Sequence, residues 1–96
     1  MCKEMVLLRE YLTDKGIEWI DKSTLGMCEI HRTHFYIKDI FYSAINGCGT
    51  YGGFYFFQPP CANQGLIELM IGANEPIGFL TAKDVIEMIE KELNNE

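Results

Sequence analysis

The apolar positions change period along the chain. Over residues 2–15, Met5, Leu8 and Leu12 recur at helical spacing, while Lys3, Glu4, Arg9 and Glu10 are free to face water. This predicts an amphipathic helix, and Gly16 is its natural stop, because glycine takes up the left-handed conformation that ends many helices. Residues 17–20 then alternate like a short strand, with Asp21-Lys22-Ser23 as a turn. Residues 26–37 read as strand, either continuous or as a hairpin broken near Arg32-Thr33. Residues 40–46 are a further β-prone run of aromatic and branched side chains, closed by the turn dipeptide Asn46-Gly47. Residues 54–57 resume as strand until Pro59-Pro60, since proline cannot donate to a ladder; 58–65 read as loop and 66–71 as the last strand. A helix follows from an N-cap at Thr81, with Asp84 placed to complete a capping box and Ala82, Val85, Ile86, Ile89 and Leu93 forming one stripe. Residues 94–96 are expected to fray.

The order is helix, strands, helix, with no repeat or linker dividing it. It predicts one α+β domain over residues 1–96: a small antiparallel β-sheet flanked by an N-terminal and a C-terminal helix, in α-β-β-β-β-α order. Helices on one sheet face leave the other for a partner subunit or a ligand.

Size and charge narrow the function. A chain of 96 residues, 48% hydrophobic and 12% aromatic, has difficulty hiding its apolar surface alone, so a homo-oligomer is expected. A net charge of −6 argues against general nucleic-acid binding, which needs a basic surface, and against an anionic membrane surface. No stretch approaches the ~20 apolar residues of a membrane span, and the N-terminal sequence has no leader pattern. The expected location is cytoplasmic, with Cys2, Cys28, Cys48 and Cys61 mostly reduced.

The least ordinary segment is 46–57, where Gly47, Gly49 and Gly52 match the spacing G-x-G-x-x-G. In a dinucleotide-binding fold that fingerprint opens a helix within a βαβ unit. Here strand-like aromatics follow, so that reading is rejected, and no P-loop lysine is present. What remains is a glycine-rich hairpin or loop, whose backbone N–H groups are suited to meet an anion. Aromatics crowd the same region, from Phe35 and Tyr36 to Phe57. The phenylalanines suit core and interface, whereas Tyr42 and Tyr51 suit stacking on a planar ring.

If residues 28–38 form one strand, Arg32, His34, Tyr36 and Lys38 share a face, a local basic stripe in an acidic chain. It reads either as a solvated face or as a small anion site using Arg32 and Lys38. Cys28, His31 and His34 are spaced C-x-x-H-x-x-H, but strand alternation separates His31 from the other two and no C-x₂₋₄-C knuckle exists, so no metal or cofactor is called for. Cys48, between two glycines, is a candidate nucleophile only with a base arranged in space. Glu68 lies on the last strand either as a charge on the open face or as a partner for Arg32.

Three stretches, 42–53, 63–71 and 75–86, resemble small uncharacterised accessory proteins of phages and prophages of Firmicutes. That resemblance implies a short accessory protein rather than a metabolic enzyme; such proteins include inhibitors of host defence that bind host effectors or sequester their nucleotide signals. Taken with the residues, the expectation is a non-enzymatic oligomeric protein binding a small nucleotide-like ligand. Tyr42 and Tyr51 would stack, Arg32 and Lys38 would meet phosphate, and Asn46, Asn63 and Gln64 would read polar edges. Gly49, Gly52 and Gly53 would allow close backbone approach. The alternatives are an inhibitor or adaptor that binds a host protein, its acidic surface meeting a basic partner, and a cysteine-dependent enzyme using Cys48.

Overall fold

The computed structural model describes residues 2–24, 30–47 and 65–94. Helix α1 (Lys3–Asp14) leads into strands β1 (Trp19–Asp21), β2 (Ile30–Ile37), β3 (Ile40–Gly47), β4 (Ile67–Ile71) and β5 (Ile77–Leu80), and α2 (Ala82–Asn94) closes the chain. The strands form one antiparallel sheet in the order β1-β2-β3-β4-β5. The α+β architecture with two terminal helices is therefore as the periodicity predicts.

Local chemistry sets the helix ends. At the end of α1, the Gly16 N–H donates to the Thr13 carbonyl and the Ile17 N–H to that of Leu12, at 2.8 Å for the latter. This paired closure needs a left-handed residue, and Gly16 supplies it at φ +72°. At the start of α2 the capping box is reciprocal: the Thr81 N–H donates to Asp84 Oδ2 at 3.0 Å and the Asp84 N–H to Thr81 Oγ1 at 3.2 Å. Glu4 Oε1 accepts from the Ala82 N–H at 2.7 Å, so a side chain of α1 satisfies one more of the unpaired amides that open α2.

β2 runs unbroken through Arg32-Thr33, so of the two readings of this segment the continuous strand is the one that forms. Its true hairpin is at Lys38-Asp39, where φ is 49° and 67°: two left-handed residues in a two-residue loop, as a type I′ turn requires. The chain also has a strand that its periodicity did not predict. β5 pairs with β4 across a bulge between Ile67 and Leu69 and carries Phe79 at φ 62°. The strand expected over 54–57 lies outside the described residues.

Strand alternation divides the sheet into two faces. Thr33, Phe35 and Ile37, then Tyr42 and Ala44, then Ile67 and Leu69 are buried beneath Met5, Leu8 and Leu12 of α1 and Val85 and Ile89 of α2. Among the described residues no element packs on the opposite face.

Candidate functional site

The face away from the helices is built by register. His34 pairs with Ile20 on β1 and Ser43 on β3; Tyr36 pairs with Phe41, Arg32 with Ile45, and Ile45 with Glu68 on β4. These residues share one surface because directly paired side chains project to the same side of a sheet. The His34 ring meets the Phe41 ring edge-on at 4.9 Å between centroids, and Tyr36 tilts against Phe41 at 5.5 Å. Tyr36 is 62% exposed and Ile20 57% exposed, while His34 and Phe41 are half-buried. Burial, followed by the positive charges of Arg32 and Lys22, lowers the His34 pKa below its ordinary value.

Four of the residues singled out in the sequence for ligand binding are described. Arg32 lies on the open face, beside the aromatic trio. Lys38 sits in the β2–β3 turn rather than on the strand, so the basic stripe runs Arg32, His34, Tyr36 and ends there. Tyr42 faces the helices, stacked on Phe35 with centroids 5.1 Å apart and buried, and burial followed by the Glu92 carboxylate raises its pKa. Asn46 is buried too, its Nδ2 donating to the Leu66 carbonyl at 2.7 Å, which ties the end of β3 to the residue before β4. The structure thus parts Tyr42 and Asn46 from Arg32 by the thickness of the sheet. Gly49, Tyr51, Gly52, Gly53, Asn63 and Gln64 lie outside the described residues, as do Cys28, Cys48 and Cys61. His31 and His34 fall on opposite faces of β2, as alternation requires.

The sequence pattern alone does not mark His34, Tyr36, Phe41 and Lys22 as site residues. The signal for the first two was the stripe itself. Tyr42 and Phe41 differ only in parity, and parity depends on a register that composition does not reveal.

A concavity of about 910 Å³ opens at the C-terminal end of α2. Ile40, Tyr42, Ile71 and Met88 form its apolar floor, with Lys91 and Glu92 at the rim. Tyr42 is among its lining residues; Arg32 and Tyr36 are not.

The chain matches no family model, no curated protein and no solved structure. No helix among the described residues is long and apolar enough to cross a membrane.

Proposed function

We propose that this is a non-enzymatic binding protein whose open sheet face takes a small anionic ligand with a planar ring, of nucleotide-like chemistry. The observation that carries this reading is the clustering of His34, Tyr36 and Phe41 rings beside Arg32 on the sheet face that, among the described residues, no helix covers. Exposed aromatics on a sheet are a platform for bases, each stack contributing about 1–3 kcal/mol. An arginine adds a charge-assisted pair to a phosphate. The net charge of −6 opposes a long polyanion but leaves one or two phosphates free to meet a local cation.

In this reading Tyr36 and Phe41 take the stacking role first expected of Tyr42, whose ring instead supports the sheet from below. Sequestration of such a ligand would suit the phage-type anti-defence role that the sequence resemblance implies. The homo-oligomer expected from composition belongs to the same proposal; sedimentation equilibrium should return a mass above that of one chain, and a single-chain mass at high concentration counts against it.

Titration calorimetry against mononucleotides, cyclic dinucleotides and ADP-ribose tests the ligand. Heat is expected from at least one, with Tyr36→Ala and Arg32→Gln each weakening binding about tenfold or more, the equivalent of one stack or one charged pair. Tyr36 is largely exposed, so its truncation leaves the fold intact. A folded protein giving no heat with any of the panel contradicts the proposal.

A further inference from the structure

We propose that Lys22, Arg32 and His34 form a subsite for a phosphate-type anion at the β1 side of the open face. The inference rests on the reading of that face as the ligand platform and locates where the ligand's negative charge sits. Lys22 follows β1, and Arg32 and His34 lie on β2. Lys22, one residue past β1, donates its backbone N–H to the Arg32 carbonyl at 2.9 Å, which sets the two residues across from one another. Alternation from Ile20, the direct partner of His34, puts the Lys22 side chain on the open face with them. The Arg32 backbone is held from the other side too, its N–H donating to Ser23 Oγ at 3.1 Å.

Like charges directly opposite on adjacent strands destabilise a sheet. This chain has only eight Lys and Arg against fourteen Asp and Glu, yet it sets two of the eight opposite each other with a histidine alongside. An anion bridging them turns repulsion into attraction, and the guanidinium fork suits a phosphate. Such a pair of cations suits an anionic occupant.

Among the described residues, few charges face His34. From the β1 side they are Lys22 and, by alternation through Ile20, Glu18. From its own strand it is Arg32. β3 presents Phe41, Ser43 and Ile45, which carry no charge, and β4 presents Glu68 one strand beyond Ile45. Asp21 points to the other face, where it pairs with Arg9 at 3.3 Å. Burial, and then the neighbouring Arg32 and Lys22 charges, lower the His34 pKa and favour the neutral imidazole in the free protein. A bound anion reverses that balance, so binding takes up a proton at His34 and strengthens as pH falls from 7.5 toward 5.5.

Proton NMR of the imidazole resonances over that pH range, with and without inorganic pyrophosphate and against sodium chloride of equal ionic strength, reads this directly; His34→Gln identifies the His34 signal. The His34 midpoint is expected to move upward by about one pH unit with pyrophosphate, the order produced by an opposite charge within hydrogen-bonding reach. The movement should vanish in the Lys22→Gln, Arg32→Gln double variant. An unmoved midpoint, or equal movement in sodium chloride or in the double variant, overturns the subsite. If pyrophosphate leaves His34 unmoved while a nucleotide gives Tyr36-dependent heat, the platform stands and the subsite falls. If pyrophosphate moves His34 and no nucleotide binds, the subsite stands as an anion site and the stacking platform falls.

Discussion

Arg9 joins α1 to the sheet through one buried hydroxyl. Its Nε donates to Thr33 Oγ1 at 2.8 Å, its Nη2 reaches the Arg32 carbonyl and Asp21 Oδ1 at 3.3 Å each, and its guanidinium lies 4.8 Å from the Trp19 ring. Thr33 in turn donates to Met5 Sδ at 3.2 Å. Thr33→Val keeps the shape but removes the acceptor, leaving Arg9 Nε without its partner. Urea unfolding should show a loss of about 1–3 kcal/mol, the cost of an unsatisfied buried donor; no loss would mean that Arg9 finds water instead. The β2–β3 turn gives the opposite sign. Lys38 and Asp39 are both left-handed without being glycine, a conformation that disfavours side chains by roughly 1–2 kcal/mol. Asp39→Gly should raise stability by up to about 1 kcal/mol, read as a melting temperature several degrees higher. A lower melting temperature would show that the Asp39 side chain contributes more than its backbone strain costs.

At the scale of elements, what the sequence reveals depends on how local the cause is. α2 was legible because Thr81, Asp84 and the apolar stripe act within a few residues of each other, and α1 because Gly16 marks its end. β5 was not: Ile77-Gly78-Phe79-Leu80 is short, follows Pro76, contains glycine and places Phe79 at positive φ, so it is a strand only through its pairing with β4. The choice between Phe41 and Tyr42 as the accessible ring was hidden for the same kind of reason, since it depends on which face the helices cover. The capping box also carries a pH signature. Hydrogen bonds from the Thr81 backbone N–H and then its hydroxyl hold the Asp84 carboxyl below its ordinary value. A depressed carboxyl contributes stability that is complete above the unfolded-state pKa of about 3.9 and is lost as pH falls through the folded value. Urea midpoints between pH 6 and 2.5 should therefore fall less steeply for Asp84→Asn than for the parent. Thr81→Ala should cost about 1 kcal/mol near neutrality. Parallel acid limbs in parent and Asp84→Asn would show that the box makes no linked contribution.

For the whole molecule, the helices and the sheet divide the labour. One face buries the core that holds the register, and that register aligns His34, Tyr36, Phe41 and Arg32 on the other. In the proposed reading, the net charge of −6 disfavours a long polyanion, while Arg32 remains available to a small anion. The sharpest rival location is the groove at Met88 and Lys91, on the opposite side of the sheet. Amide and side-chain chemical-shift mapping of labelled protein with a nucleotide that gives calorimetric heat separates the two directly. Perturbations centred on Arg32, His34, Tyr36, Phe41 and Ser43, with α2 unmoved, are expected for a ligand on the open face; perturbations centred on Tyr42, Met88 and Lys91, with the open face silent, would place the ligand in the groove and overturn the platform.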